Sequence, residues 1–214
     1  MKSQLAVDDI SRLVGHISAG MREKSEELAR LDSLTGDGDM GVTITLCMRA
    51  MAKTASKLDG CGMAEALELM GEQVGETAPS TFGTLFATML KSMGRELKIA
   101  EADIIDSVTF ARILNAAARG VMERGNAKPG EKTMLDALIP AARSAQLTAD
   151  NGDCLASCAE KAAEAARTGA ESTIGMKAVT GRAGYMGERS IGSKDPGAEA
   201  IAAMLAAFRS FFEL

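Results

Sequence analysis

The sequence predicts an all-α protein, an antiparallel eight-helix barrel or bundle with a site at one rim. Aromatic residues make up only 3% of the 214 residues and Trp is absent, so few residues of the types that favour strands are available. Good helix formers such as Ala, Leu, Met and Glu take their place. Apolar residues recur at three- and four-residue steps, as on the buried face of a helix. This length suits one sizeable core, so we expect a single domain over residues 1–214.

The periodic segments predict eight helices in succession. The first spans residues 5–30, and the last carries a stripe that includes Ile201, Met204, Leu205, Phe208, Phe211 and Phe212. Between them the periodicity predicts helices at about 41–58, 62–74, 83–96, 103–124, 134–147 and 153–168. We expect Asp103 to cap the fifth helix, and Gly169 to end the seventh.

Four connections between the predicted helices concentrate glycine, hydroxyl and charged residues. They are residues 32–40, 75–82, 125–133 and 173–197. In an up-and-down bundle, alternate connections lie at the same end, and these four are alternate connections. The sequence therefore predicts that one end of the bundle is a functional site.

Charge and hydropathy limit the partners of the protein. The net charge is -5 and no Lys/Arg cluster stands out, so we expect no nucleic-acid partner. No stretch approaches the roughly 18 consecutive apolar residues of a membrane span, so we expect no membrane partner. Asp8 and Asp9 lie where a signal peptide needs its apolar core, which predicts a cytoplasmic location.

The first of these loops, LDSLTGDGDMGV, gathers Asp32, Asp37 and Asp39 between glycines. Carboxylates packed this closely repel one another, and a hard cation with oxygen ligands is the usual reason to tolerate them. An EF-hand does not fit, because the twelfth position counted from Asp37 is Met48 instead of Glu. Two interpretations stay open at this point: a magnesium site completed by phosphate oxygens, or a solvated turn with an Asp cap before the second helix.

The second loop, GETAPSTFGT, offers hydroxyl groups and backbone N–H groups just before a helix. Such a helix start can bind phosphate, although an ordinary N-cap explains the same residues. In the last loop Arg182, Arg189 and Lys194 supply positive charge suited to phosphate, unless Glu188 simply pairs with one of the arginines. Asp195 is expected to cap the last helix.

Three motifs together resemble the L subunit of the dihydroxyacetone kinase family. LDSLTGDGDMG is similar to the family's Leu-Asp-x-x-x-Gly-Asp-Gly/Ala-Asp-His-Gly, apart from Met40. PGEKTMLDALIPA resembles its PGDKTMxDALxPA, and GRAGYMGERSIGSKDPGA resembles its GRASYLGERSxGxxDPGA. The second loop departs from the family, since Glu76, Ala78 and Pro79 stand where relatives have Gly-Gly-x-Ser-Gly.

The resemblance implies a helical barrel that binds ADP or ATP at one rim through two Mg2+ ions. It implies that Asp32, Asp37 and Asp39 are the metal ligands. It implies that the nucleotide contacts lie at Thr77, Ala78, Ser80, Thr81, Gly83, Thr133, Met134, Arg182, Asp195, Pro196 and Gly197. Phosphoryl transfer needs mainly positioning and charge neutralisation, which such groups supply.

The resemblance also implies that this chain works with a partner. No general base is evident in the motifs, and we expect His16 to be a helix-surface residue. In the family a K-type subunit holds the keto-sugar, and some members have bound ADP rephosphorylated by an M subunit of the phosphotransferase system instead of exchanging it for ATP. The changes at Met40, Ala78 and Pro79 leave an alternative open, a non-catalytic or regulatory module that binds ADP or a protein partner.

Overall fold

The predicted periodic segments form helices in the computed structural model, which describes residues 3–58 and 60–213. In the described part of the chain the eight long helices are α1 (Ile10–Thr35), α2 (Met40–Ala55), α3 (Met63–Thr77), α4 (Thr81–Ala100), α5 (Ser107–Gly125), α6 (Leu135–Asp150), α7 (Leu155–Ser172) and α9 (Pro196–Ser210). A short helix, α8 (Gly181–Gly184), lies between α7 and α9. The prediction of eight helices is therefore confirmed.

The helices close into an antiparallel barrel. Each long helix packs against the next, and α9 packs against both α7 and α1. Alanine shapes one wall: α6 and α7 face each other through side chains that are completely buried, namely Ala137, Ala141, Ala145, Ala159, Ala162 and Ala166. Because these side chains are small, the two backbones can approach closely. The alanine-rich composition thus forms a packed wall instead of a solvated surface.

Several predicted helix boundaries were wrong. The first helix runs from Ile10 to Thr35, about five residues later at each end than predicted. The fifth helix begins at Ser107, and its cap is Asp106, whose carboxylate accepts a hydrogen bond from the N–H of Thr109 at 2.8 Å. The seventh helix runs past Gly169 to Ser172. A Cβ atom at Gly169 would collide with the carbonyl oxygen of Asp136, so this glycine allows α7 to pack on α6 and does not end the helix.

The end of the barrel away from the predicted site is closed by backbone pairing and by His16. Leu5 and Ile105 exchange two backbone hydrogen bonds, of 2.9 and 2.8 Å. His16 is half-buried, not the surface residue expected, because its Nε2 lies 2.8 Å from the hydroxyl of Ser210 and its ring packs edge-on against Phe211. At 1.5 Å per helical residue, His16 lies about 24 Å along α1 from Asp32.

The four loops rich in glycine and charge meet at the opposite end. The first and second loops approach each other where the hydroxyl of Thr43 lies 3.4 Å from that of Ser80. The third and fourth are joined by the ammonium of Lys132, which donates to the carbonyl of Thr173 at 2.6 Å. This end of the barrel is called the rim below. No helix in the described ranges combines the length and the apolar character that crossing a bilayer requires.

Candidate functional site

Three aspartates converge where α1 ends and α2 begins. Asp32 lies in the last turns of α1, and the chain reverses at Gly38, whose φ of +77° is in the left-handed region that favours glycine. The turn places a carboxylate oxygen from each of Asp32, Asp37 and Asp39 within 4.8 Å of the other two. In the described ranges this is the group of acidic side chains that could hold a metal ion.

The geometry fits a hard divalent cation. A Cβ atom at Gly36 would collide with a carboxylate oxygen of Asp32, so the backbone is folded tightly around the cluster. The N–H of Met40 donates to the other carboxylate oxygen of Asp32 at 3.2 Å and orients it. Asp39 occupies the N-cap position of α2 but its side chain makes no capping hydrogen bond, so capping does not explain its carboxylate. Three hard oxygen ligands suit Mg2+, which commonly takes phosphate oxygens as well.

The side chain of Met40 does not reach the cluster of aspartates. Its side chain is buried in the core, 7% exposed, and only its backbone contributes at the rim. The replacement of the family's histidine therefore removes a polar group without placing an apolar one over the cluster.

Arg182 brings a positive charge to the cluster. Its guanidinium pairs with the carboxylate of Asp37, and both side chains are largely exposed. Arg182 lies in α8. The turn Gly187–Ser190, which follows α8 in the same loop, packs against α1 and so holds α8 near the end of α1. The other two cations noted in this loop behave differently. Lys194 is engaged with Glu171 at 2.6 Å and Glu199 at 3.1 Å, and Arg189 makes no ion pair within the described ranges.

Glu188 pairs with neither arginine. Its carboxylate lies 2.9 Å from the ammonium of Lys177, so the surface pairing expected for it exists with a different partner. Glu188 therefore does not compete with Asp37 for the guanidinium of Arg182.

The second loop is a tightly capped helix start. The hydroxyl of Ser80 accepts from the N–H of Gly83 at 3.0 Å, and a Cβ atom at Gly83 would collide with the carbonyl of Ala78. Ala78 is 2% exposed, so its side chain cannot touch a ligand. Thr77 and Thr81 are exposed on either side of this cap. Ser80 thus takes the N–H of Gly83 with its hydroxyl and that of Thr84 with its carbonyl, which leaves the N–H groups of Thr81 and Phe82 for an anion.

The third loop places Thr133 and Met134 beside the start of α9. The carboxylate of Asp136 accepts from the N–H groups of Gly130 at 2.5 Å and Thr133 at 2.8 Å, which fixes the loop. Met134 is buried, and its Cβ would lie 3.4 Å from a Cβ placed on Gly197. The tighter contact of such a Cβ would be with the carboxylate of Asp195, at 3.0 Å, so a side chain at position 197 would crowd the cap of α9.

Asp195 caps α9 as predicted. Its carboxylate accepts from the N–H of Ala198 at 2.7 Å, and Pro196 follows at the first helical position. Burial raises the pKa of Asp195 to about 7. The bond from Ala198 lowers this pKa, the nearby carboxylate of Asp136 raises it, and the ammonium of Lys132 lowers it. The carboxyl group is therefore held in an environment that disfavours its charge.

Sequence reasoning missed two residues that build the rim, Lys132 and Asp136. Both lie in the quoted PGEKTMLDALIPA motif, but no role was assigned to them. Asp136 could have been found, because a carboxylate three residues after Thr133 is a capping pattern at a helix start. Lys132 carries no local signal, since its partners lie 41 to 61 residues away.

Comparison with known proteins supplies a family match. A sequence model of the DAK2 domain matches residues 34–210. The chain is 31% identical over 185 residues to the ADP-binding subunit DhaL of the PEP-dependent dihydroxyacetone kinase of Escherichia coli, covering 85% of this chain and 86% of that subunit. It is 29% identical over 195 residues to the D-erythrulose kinase of Mycolicibacterium smegmatis, covering 90% of this chain and 33% of that protein.

A solved structure shares the fold. The dihydroxyacetone kinase from C. freundii, in complex with AMP-PNP and Mg2+, superposes with a TM-score of 0.74 at 25% identity, covering 94% of this chain and 33% of that one. The chain thus spans about a third of the length of this kinase and of the D-erythrulose kinase. The predicted helical barrel is confirmed by this likeness.

Proposed function

The chain belongs to the DAK2 domain family, and from this premise we propose that it is the nucleotide-binding subunit of a dihydroxyacetone-kinase-type phosphotransferase. It presents the phosphoryl group of a magnesium-bound adenine nucleotide to a short keto-sugar, dihydroxyacetone or a related ketose. One observation carries the proposal: the clustered carboxylates of Asp32, Asp37 and Asp39 lie at the rim where the four loops meet. The same face holds Arg182 beside Asp37.

The residues of the rim divide the work of binding. In the proposal the three aspartates hold two Mg2+ ions. When bound, these ions would neutralise and orient phosphate oxygens. The loop containing Thr77, Ala78, Ser80, Thr81 and Gly83 offers to phosphate its hydroxyl groups and the N–H groups of Thr81 and Phe82, which start α4. Thr133 and Met134 flank the base or ribose. Arg182, together with Asp195, Pro196 and Gly197, closes the nucleotide site.

The acceptor needs a partner protein. His16 is the sole histidine of the chain, and it packs against Ser210 and Phe211 far from the rim. It cannot serve as a base for a hydroxyl group at the metal cluster. We therefore assign the sugar and its activation to a K-type subunit, which docks over the rim.

The surface of the rim supports such docking. Tyr185 is 92% exposed, and large apolar side chains at Leu34, Val42 and Val179 are also exposed on the segments that form the rim. Aromatic residues, Tyr among them, are enriched at the energetic centres of protein interfaces. Exposed apolar side chains around a binding site are typical of a face that another protein covers.

Two phosphoryl donors are compatible with the proposal, and only one of them, PEP, is printed in the name of a relative. The E. coli relative is a subunit of a PEP-dependent kinase, whereas the relatives from M. smegmatis are named D-erythrulose kinase and L-erythrulose 1-kinase. In the first route an M subunit of the phosphotransferase system rephosphorylates bound ADP. In the second, ADP is exchanged for ATP.

The second loop favours one other candidate function, a non-catalytic or regulatory module that binds ADP or a protein partner. Pro79 has no N–H group, and the N–H groups of Ala78 and Ser80 donate within the protein, to Val74 and Ala78. The loop therefore has fewer free donors for phosphate than an equally long glycine-rich loop.

Reconstitution tests the proposal. The chain replaces the ADP-binding subunit in the E. coli kinase, and phosphorylation of dihydroxyacetone and of erythrulose is measured with ATP and, separately, with PEP and the phosphotransferase proteins. Activity above that of the Asp37→Ala variant in either arm supports the kinase subunit and identifies the donor. The same assay is repeated with the K-type protein from the organism of this chain. If the chain binds ADP but no phosphoryl transfer occurs with either K-type protein, the result supports the regulatory module.

A further inference from the structure

We propose that Lys132 is a positioning residue: its buried ammonium clasps both ends of residues 173–195, here called the strap, and so holds Arg182 over the metal cluster. The inference rests on the proposed function, because it concerns how the nucleotide site is kept in shape. It assigns Lys132 no contact with the nucleotide.

The ammonium is fully used by the two ends of the strap. It donates to the carbonyls of Thr173 at 2.6 Å and Met176 at 3.3 Å, where the strap begins, and of Ser193 at 2.5 Å, where it ends. Lysine has three N–H donors and no acceptor, so these three bonds complete its capacity. The residue is 3% exposed, so the three carbonyls replace the hydrogen bonds that water would otherwise make to the ammonium.

The backbone bears a strain at this position. Lys132 has φ of +61°, a left-handed conformation that non-glycine residues adopt rarely. Burial also lowers the pKa of Lys132, an effect that the charge of Asp195 opposes. Burying the ammonium and holding the backbone in this conformation both cost free energy. The three hydrogen bonds to the strap offset that cost.

Other bonds close the base of the strap around the same point. The N–H of Gly192 donates to the carbonyl of Ile174 at 2.8 Å, and the N–H of Asp195 donates to the hydroxyl of Thr173 at 2.9 Å. The N–H of Val179 donates to the carbonyl of Glu131, the neighbour of Lys132, at 3.2 Å. The base is therefore fixed to the third loop.

The tip of the strap carries the functional charge. Arg182 lies in α8 at that tip, its side chain is 65% exposed, and it pairs with Asp37. Its position therefore depends on the segments that hold α8, namely the turn Gly187–Ser190 on α1 and the base of the strap. Loss of the clasp would leave the carbonyls of Met176 and Ser193 without this donor, whereas the carbonyl of Thr173 would keep only the N–H of Met176 at 3.1 Å, and Arg182 would be free to move away from the cluster.

The Lys132→Met variant tests this inference, with Lys177→Met as a matched control. Lys177 is a lysine of the same strap whose ammonium pairs with Glu188 at the surface. Titration of Mg-ADP should show about tenfold or greater loss of affinity for Lys132→Met, and under twofold for the control. Hydrogen exchange of the Val179, Gly192 and Asp195 amides should accelerate in Lys132→Met alone.

A double-mutant cycle separates positioning from general stability. If Lys132 acts through Arg182, adding Arg182→Ala to Lys132→Met should cost clearly less affinity than Arg182→Ala costs in the wild type. Additive losses, or unchanged Mg-ADP affinity in Lys132→Met, would overturn the inference. If that variant does not fold, Lys132→Gln removes the ammonium but keeps a polar side chain at the joint, and it must show the same accelerated exchange.

The two proposals fail in different ways. Wild-type protein that binds no Mg-ADP contradicts the proposed function, and the exchange rates of the strap then decide the clasp by themselves. If the wild type binds Mg-ADP, and Lys132→Met has the same Mg-ADP affinity and the same amide hydrogen exchange as the wild type, only the clasp is contradicted.

Discussion

The guanidinium of Arg182 pairs with the carboxylate of Asp37, so the last loop of the barrel reaches the acidic cluster of the first. Both side chains are largely exposed, 65% and 47%, and exposed ion pairs contribute at most about 1 kcal/mol to stability. The pair is thus of little use for folding. In the proposed function it places a cation beside the phosphate groups of a metal-bound nucleotide.

Replacement of Arg182 by Ala should weaken Mg-ADP binding without unfolding the protein. A charge-assisted hydrogen bond to phosphate is worth roughly 1.5–3 kcal/mol when desolvated, so Kd should rise by about tenfold or more. Mg2+ alone should bind no more weakly, because the variant removes a cation that competes for Asp37. Titration calorimetry measures both, with the exposed Arg167→Ala on α7 as control. Unchanged Mg-ADP affinity would remove Arg182 from the site.

Replacement of Asp37 or Asp39 by Ala should abolish magnesium-dependent nucleotide retention. Each change removes one of three clustered oxygen ligands, whereas neither side chain supports the core. Helix content by circular dichroism should stay at the wild-type value. Asp153→Ala, in an exposed loop between α6 and α7, is the matched control. Nucleotide retained by both rim variants would contradict the assignment of the ligands.

Replacement of Tyr185 by Ser should reduce phosphoryl transfer with a K-type partner while Mg-ADP affinity stays unchanged. An exposed tyrosine at the centre of an interface contributes about 2 kcal/mol or more, which corresponds to roughly a thirtyfold weaker partner affinity. The control is Ile99→Ser, exposed near the end of α4 that lies away from the rim. Equal partner affinity in wild type and Tyr185→Ser would place the docking surface elsewhere.

The raised pKa of Asp195 predicts a pH-dependent stability. Between the ordinary pKa of 3.8 and the folded value of about 7, the native state keeps a proton that the unfolded state releases. The stability contributed by this group is therefore full below pH 3.8 and is lost as pH rises through 7. Asp195→Asn keeps a good N-cap but cannot ionise.

Urea unfolding at pH 5 and pH 8 measures this effect. The wild type should lose free energy of unfolding relative to Asp195→Asn as pH rises across that interval. An equal change in both proteins would show that Asp195 keeps an ordinary pKa in the folded state.

The helices were predictable because their buried faces repeat at regular steps. The same local patterns misplaced the ends of some of them. Asp103 and Asp106 both suit a cap in sequence, and only the fold selects Asp106. Gly169 resembles a helix terminator until α6 packs against it, since the collision it avoids involves the backbone of Asp136.

The candidate site divides in the same way. The aspartates of the first loop were predictable because they are close in sequence and separated by glycines. Lys132 was not, because its role depends on carbonyls contributed by residues 173, 176 and 193, and backbone carbonyls leave no mark in a sequence. The burial of Met40 was equally hidden, since its place after three aspartates suggests exposure at the site.

The most direct test of the central claim is calorimetric titration of ADP and of ATP into the nucleotide-stripped protein, first with magnesium and then with a chelator. A magnesium–nucleotide site at the rim predicts binding with magnesium, loss of binding with chelator, and no binding by Asp37→Ala under either condition. Binding that is equally tight with chelator, or no binding at all by the wild type, would contradict a magnesium–nucleotide site at the rim.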